Sequence, residues 1–524
     1  MQMTAVIAIP SAGAPSTQER NWDTINWRKV VAEVRRLQMR IAKAFREGKH
    51  GKAKALQWIL THSFNSKLLA VKRVVQNRGA KTPGVDNIRW NTSRQKMKAA
   101  LSLKRRGYQT KPLKRIYIPK KQKGKFRPLS IPTMQCRAMQ ALHALALEPI
   151  AECMADKNAY GFRPLRSTAD AIEQCFITLA QRSSAHYILE GDIRACFDTI
   201  SHSWLLENVP MDTEILRKWL AAGYVDKGIL NATNMGTPQG GIISPMLLTV
   251  TLSGLEKAVK AVTKHSDKVH VCTYADDFII TGVSQEILEN KIKPVVEEFL
   301  QKRGLTLSQE KTKITHIREG FDFLGMNIRK YDNKLLIRPA KSSVKSFLDD
   351  IRKTIKSNKT AKTEILIQIL NKKIRGWANY YAHVCSKRTF SKVEHEIFKA
   401  LWRWSKRRHP NKGIRWIKAK YFRRDKRRDW IFFANIRKKD GFIFPLEIAL
   451  TSRIPIRRHI KIRAQATPFD PAYHDYFDKR ISSLEKNKKK QTGKPKWWLC
   501  WWNLLSPRNN TEKLGSFETA LLKA

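Results

Sequence analysis

Three aspartates carry the most specific chemistry in this 524-residue sequence. Asp192 falls near the end of an apolar run, YILEGDI (187–193), and Asp276 and Asp277 follow Tyr274 and Ala275 in VHVCTYADDFIIT (269–281). Adjacent acids at a turn repel each other, and a chain with 101 Lys and Arg has cations enough to avoid that for stability alone. Hard divalent cations take carboxylate oxygens. Three carboxylates on two adjacent strands suit a pair of Mg²⁺ ions roughly 3.5–4 Å apart, an arrangement that serves displacement at phosphorus. The competing reading is an ordinary Asp-Asp turn.

The elements that must position these acids follow from periodicity. Both apolar runs read as strands, the second folded into a hairpin with Ala-Asp-Asp at its tip. KPLKRIYIPKKQKGKFRPLSIP (111–132) predicts two short strands around a Lys/Gly turn, and 134–151 an apolar helix. Residues 227–241 are turn-rich and lead into an apolar helix from about Ser244. From Trp22 to Gln76, Val30, Val34, Leu37, Ile41 and Phe45 recur at three- and four-residue steps. That region is either a pair of solvated basic helices or a phosphate-contacting extension. Asp86, after Pro-Gly-Val, and Asp198, at an expected N-cap, read as structural acids.

Composition then limits the function. A net charge of +57 and a pI near 10.3 call for a polyanionic partner, nucleic acid first and an anionic membrane second. With 42% apolar and 9% aromatic residues the chain can bury cores, which excludes a disordered basic tail as the whole molecule. No apolar run approaches 18 residues, so no membrane span is expected. Seven cysteines without a Cys-x-x-Cys pair fit neither a zinc module nor a disulfide framework, and reduced thiols in a cytoplasmic protein are expected. Residues 340–524 hold 46 Lys and Arg against 15 Asp and Glu, a net of +31. The stretch 403–439 alone has 16 basic residues and two acids, Asp425 and Asp429, interleaved with Trp404, Trp416, Tyr421, Phe422 and Trp430.

Taken with their context, these motifs resemble a known family. Asp192 in GDIRACFDTI, 84 residues before Asp276, together with Tyr274-Ala275-Asp276-Asp277, is similar to the catalytic core of reverse transcriptases. GTPQGGIISP (236–245) is similar to the template and nucleotide loop of that superfamily. TPGVDN (82–87), YGFRPLRST (160–168), LTLSQEKTKI (305–314) and FDFLGMNI (321–328) narrow the likeness to group II intron-encoded reverse transcriptase/maturase proteins. IRGWANYY (374–381) and LWRWSKRRHPNK (401–412) resemble the thumb, or maturase domain X. The likeness spans about residues 22–430 in order.

The resemblance implies an α+β right-hand polymerase with fingers and an antiparallel palm, followed by an α-helical thumb and a basic C-terminal region. It implies Asp192, Asp276 and Asp277 as catalytic ligands of two Mg²⁺ ions, with the Ile193 carbonyl assisting, and dNTP substrates. Lys120 and Arg127 of the fingers hairpin would grip the triphosphate, Arg with a planar fork and Lys with a point charge. Phe197 would exclude a 2′-hydroxyl, although a plain core role is the alternative. Gln239 would let the backbone approach the base pair, and Lys311, with Lys313, would touch nucleotide or backbone. Phe323, Leu324 and Gly325 would be the primer grip. Arg375, Trp377, Arg403, Arg407, Arg408, Lys412, Arg423, Arg424, Arg427 and Arg428 are expected on the surface that binds intron RNA or target DNA.

The expected division is 1–20 disordered, 21–95 N-terminal extension and start of the fingers, 96–335 fingers and palm, 336–425 thumb, and 426–524 a basic DNA-binding region and degenerate tail. The Cys/His endonuclease of many relatives is not expected, because after Val384 there are only Cys385 and Cys500. The activity implied is RNA-directed DNA polymerisation combined with maturase action on a group II intron held as a lariat ribonucleoprotein. Two rivals are a splicing factor with an idle polymerase and a reverse transcriptase serving defence without an intron.

Overall fold

The computed structural model describes residues 21–119, 124, 126–425, 428–437 and 441–489. Lys120, Arg427, the 1–20 segment and the tail beyond 489 lie outside the described residues. Three N-terminal helices, α1 (Trp27–Arg46), α2 (His50–His62) and α3 (Phe64–Gln76), precede α4 (Ser93–Ser102), β1 (Leu113–Pro119), β2 (Phe126–Ile131) and α5 (Met134–Met154). Next come α6 (Thr168–Leu179), β3 (Tyr187–Asp192), α7 (Cys196–Thr199), α8 (His202–Asn208), α9 (Thr213–Leu220), β4 (Tyr224–Asp226) and β5 (Ile229–Asn231). Then follow α10 (Ser244–Leu252), α11 (Leu255–Ala261), β6 (Val271–Tyr274), β7 (Asp277–Gly282), α12 (Lys293–Gln301), β8 (Lys313–His316), β9 (Phe321–Phe323), β10 (Met326–Tyr331) and β11 (Lys334–Pro339). The chain continues through α13 (Lys341–Ser357), α14 (Thr363–Tyr380), α15 (Lys387–Arg408), α16 (Ile414–Tyr421), β12 (Phe422–Asp425), β13 (Arg428–Arg437), β14 (Ile443–Glu447) and α17 (His474–Lys489).

Contacts divide the chain into two compact units. The first comprises residues up to 155, 195–253 and from 466 onward. At its centre is α5, apolar on every side, and such a helix must be enclosed by others. Helices α1, α2, α3 and α10 pack on it. Two buried glutamines serve α5 carbonyls, Gln38 Nε2 donating to Leu145 O at 2.8 Å and Gln57 Nε2 to Ala146 O at 3.2 Å. The expected fingers hairpin is present, β1 pairing antiparallel with β2 from Lys114–Ile131 to Pro119–Phe126. It extends into a sheet of order β2-β1-β4-β5. Strands β4, just before the turn-rich stretch 227–241, and β5, inside it, have three residues each, and so short a strand shows no alternation.

The second unit comprises 156–194 and 254–465. Its antiparallel sheet has the order β6-β7-β3-β8, with α6 packed on β6. A second sheet, β11-β10-β9, leads to the helices α13 to α16. The basic stretch holds more than helices. Strands β12, β13 and β14 form a three-stranded sheet. Phe422, Ile431, Phe432 and Ile448 lie in one core with Phe347, Leu370, Val393 and Trp404 of α13, α14 and α15. The division expected at residue 425 thus falls between two paired strands. No helix among the described residues is long and apolar enough to cross a membrane. The described cysteines are free thiols.

Candidate active site

The palm hairpin brings the acids together because its register is fixed on both sides. Strand β3 pairs with β7 so that Asp192 faces Asp277, and β6 pairs with β7 so that Tyr274 faces Asp277. Ala275, at φ 59°, turns the chain between them and leaves Asp276 on the tip. One step inward, Gly191 faces Phe278. A Cβ at Gly191 would lie 2.1 Å from the Phe278 ring, so the ring closes over the strand only because that residue is glycine. The Asp192 carbonyl accepts Ser308 N–H at 2.8 Å, and buried Ile193 bridges Leu307 beside it.

A support that pattern reading missed lies under the tip. Residues 158–160 run beside β6, with Tyr160 N–H donating to Thr273 O at 2.9 Å and Thr273 N–H to Asn158 O at 3.1 Å. Gly161 follows, and a Cβ there would stand 2.1 Å from the backbone nitrogen of Ala275. The YGFRP motif therefore sets the depth of the acidic tip. The one sequence signal for this was a glycine after an aromatic residue, which by itself names no contact.

Charge at the tip is only partly compensated. Burial at the crowded base of the hairpin, then repulsion from Asp276 and from Asp192, pushes the Asp277 carboxyl up to about 6, against the pull of Lys311. Its outer edge stays open to solvent, which screens the charge and reduces what the shift is worth in stability. Lys311 Nζ donates to Asp192 Oδ2 at 2.8 Å, and Lys313 Nζ pairs with Glu190 at 3.2 Å. Both lysines expected at nucleotide or backbone thus meet palm carboxylates. Among the described residues no three His, Cys, Asp or Glu side chains form a ready-made cage for a metal ion. The donor set nonetheless fits a hard divalent cation: adjacent carboxylates, all oxygen donors, whose burial and mutual repulsion raise the Asp277 carboxyl.

Other expected residues fall in the first unit. Arg127 is exposed on β2, opposite Ile118. Phe197 is half-buried in the short α7, where its carbonyl accepts Thr237 N–H at 2.6 Å. Gln239 Nε2 donates to Asp198 at 2.9 Å, and the Gln239 carbonyl accepts Ser130 N–H at 2.7 Å. This corrects the reading of Asp198 as an N-cap: Ala195 takes that position, and Asp198 anchors the Gln239 amide. A Cβ at Gly236 would lie 2.6 Å from the Asp198 backbone, so the loop needs its glycine there. Asp86 takes the turn role expected, accepting Ile88 N–H at 3.2 Å.

In the second unit, Phe323 is buried and Leu324 and Gly325 form a tight turn with φ of 50° and 75°. The basic region needs correction. Trp404, Tyr421 and Phe422 are buried in the core, and half-buried Trp377 stacks on Phe347 with centroids 4.6 Å apart, which takes one of its faces. The cations also have more partners than the local sequence suggests. Arg428 pairs with Glu394, Arg423 with Glu447 at 3.5 Å and Arg424 with Asp429 at 3.5 Å. Arg408 donates to Ala361 O at 2.6 Å and lies over the Trp404 ring. Arg375, Arg403, Arg407 and Lys412 are exposed, and Trp416 is the stretch's most open ring, at 38%.

Three family models match. Residues 118–328 match "Reverse transcriptase (RNA-dependent DNA polymerase)", 22–103 match "N-terminal domain of reverse transcriptase", and 344–422 match "Group II intron, maturase-specific domain". The chain is similar to Protein YkfC of Escherichia coli, 32% identical over 301 residues, covering 49% of this chain and 78% of that protein. It is similar to the group II intron-encoded protein LtrA of Lactococcus lactis subsp. cremoris, 29% identical over 410 residues, covering 60% of this chain and 68% of that one. An uncharacterized 91 kDa protein in the cob intron of Schizosaccharomyces pombe is 26% identical over 416 residues, covering 63% and 51%.

Proposed function

Since the chain belongs to the family of group II intron-encoded reverse transcriptase/maturases and is an RNA-directed DNA polymerase, we propose that it binds its own intron RNA, promotes splicing and reverse splicing, and copies the intron by target-primed reverse transcription. The observation that carries this reading is the pairing of Asp192 with Asp277 at the tip of the palm hairpin, in one chain with a maturase-specific domain. A splicing factor with an idle polymerase would have no need to crowd three acids there.

In this reading Asp192, Asp276 and Asp277 hold the divalent ions, with the Ile193 carbonyl beside them. Bound Mg²⁺ would supply activation of a primer 3′-hydroxyl and neutralisation of the departing pyrophosphate. The protein's own groups bind and orient. Lys311 neutralises Asp192 in the free enzyme and turns to substrate phosphate when the nucleotide enters. Lys120 and Arg127 hold the triphosphate, and Phe197 bars the 2′-hydroxyl. Gln239, fixed by Asp198, brings its loop backbone against the new base pair. The turn Phe323-Leu324-Gly325 supports the primer. Arg375, Arg403, Arg407 and Lys412 give exposed phosphate contacts, with target DNA as a second nucleic-acid partner. The site of action in this reading is the bacterial cytoplasm, with an organelle as the alternative.

The test is primer extension by the full chain on an intron RNA template with Mg²⁺ and dNTPs, alongside splicing of that intron. Extension and stimulated splicing by one preparation are expected. Splicing without any extension would leave the idle-polymerase reading in its place.

A further inference from the structure

The turn between β9 and β10 is held from outside itself. Tyr380 Oη donates to Leu324 O at 2.9 Å, and Tyr381 Oη donates to Gly325 O at 3.1 Å. The His383 ring, two residues after Tyr381, meets the His459 ring edge-on with centroids 6.3 Å apart. Thr168 opens α6. That helix start is organised by Asp170, which is 0% exposed. One carboxylate oxygen, Oδ2, closes a capping box on Ser167, accepting its N–H at 2.9 Å and its O–H at 2.7 Å. The other, Oδ1, accepts Ile462 N–H at 2.8 Å and lies 2.8 Å from His459 Nε2.

His459 and Ile462 belong to an extended strap, residues 454–465, without helix or strand of its own. It is fastened at both ends. Arg457 N–H donates to Ala382 O at 2.8 Å, directly after the two tyrosines, and Lys387 Nζ donates to Ile454 O at 2.8 Å. Further on, Lys461 Nζ donates to Gln174 Oε1 of α6 at 2.6 Å, and Arg166 donates to Ala464 O at 3.1 Å. A capping box consumes only one oxygen of its carboxylate, and a buried second oxygen must find donors or raise the cost of the charge. Here those donors come from a segment about 290 residues away, so helix start and strap are fixed together.

We propose that the strap is a positioning element for the primer-grip turn. Held on α6 by Asp170, it fixes the end of α14 through Arg457 on Ala382 and His459 against His383, and the Tyr380 and Tyr381 hydroxyls there fix the carbonyls of Leu324 and Gly325. Residues far from the acids thereby set the height at which a primer end is presented. This rests on reading Phe323-Leu324-Gly325 as the primer grip.

The experiment uses the full chain in primer extension on an RNA template, measuring KM for primer–template, KM for dNTP and kcat separately, with thermal unfolding in parallel. Tyr380→Phe removes one hydroxyl at constant shape, His459→Ala removes the strap's donor, and His459→Gln keeps an amide donor. Tyr380→Phe and His459→Ala should each raise KM for primer–template about three- to tenfold, the scale of one or two neutral hydrogen bonds. KM for dNTP should not move, His459→Gln should recover most of the loss, and the double variant should lose less than the product of the singles. Unmoved primer KM, independent multiplying losses, or a lowered Tm alone for His459→Ala would each overturn the strap's role. A wild-type chain that extends no primer would overturn the primer-grip reading together with it.

Discussion

Lys311 Nζ lies 2.8 Å from Asp192 Oδ2, so the acid that ends β3 is neutralised by an ammonium group arriving just ahead of β8. The lysine side chain is 65% exposed and the carboxylate 21%, and pairs this open are worth about 0–1 kcal/mol. Such a pair holds the carboxylate without trapping it.

Lys311→Ala should therefore free Asp192 for a divalent cation. In the absence of nucleic acid, Mn²⁺ affinity measured by calorimetry should rise up to about fivefold, the equivalent of 1 kcal/mol. Equal or weaker binding would show that the ammonium does not compete for that site.

Asp276→Asn keeps the size of the tip residue and removes its charge. Polymerisation should fall by roughly two to three orders of magnitude or more, since metal-held charge stabilisation is worth several kcal/mol. Splicing of the intron and binding of its RNA should stay near wild type. An equal fall in splicing would show that the two activities are not separable.

Asp277 predicts a signed pH dependence. Its carboxyl is pushed up to about 6 in the folded protein, so folding favours the protonated form. The stability it contributes is present below the ordinary carboxylate range and is lost as pH rises through 6. Without divalent ions, Asp277→Asn should raise Tm relative to wild type at pH 8, and the difference should shrink at pH 5. A difference that grows toward acid pH would reverse the sign and contradict the crowding of acids at the tip.

Gly161→Ala tests the support beneath the hairpin. Its new Cβ would meet the Ala275 backbone at 2.1 Å, and relief of such overlap in a packed region costs about 1–3 kcal/mol. Circular dichroism should show an intact fold with lowered Tm, and kcat for nucleotide addition should drop more than intron RNA affinity. Unchanged kcat would detach the YGFRP motif from the acidic tip.

Phe197→Ala should open the space expected for a 2′-hydroxyl. Single-nucleotide extension with each triphosphate should show the preference for dNTP over rNTP falling by about tenfold or more, as expected for removal of a steric block worth 1–3 kcal/mol. An unchanged preference would return Phe197 to a packing role at α7.

Much of the site was legible because its carriers are local. Period-two arms around Ala-Asp-Asp announce a hairpin, and an apolar run ending in Gly191-Asp192 announces the strand beside it. The fingers hairpin and the enclosed α5 were equally plain. Less visible were strands β4, β5 and β12, where three-residue pairing or adjacent Arg residues mask alternation. The burial of Trp404, Tyr421 and Phe422 was hidden for a related reason. An aromatic residue among cations looks like a stacking face until the sheet that covers it is known.

The sequence by itself determined the strand that ends at Asp192, the hairpin with Ala-Asp-Asp at its tip, the fingers hairpin and the enclosed helix α5. Those outcomes depend on neighbours two to four residues apart, where side-chain alternation and backbone sterics act directly. Only the tertiary structure decided that Lys311 meets Asp192, that Asp198 holds Gln239, that Gly161 underlies Ala275, and that His459 reaches Asp170. Each of these joins segments tens to hundreds of residues apart, and which partners meet is set by how whole elements pack and by the need of every buried polar group for a donor or acceptor.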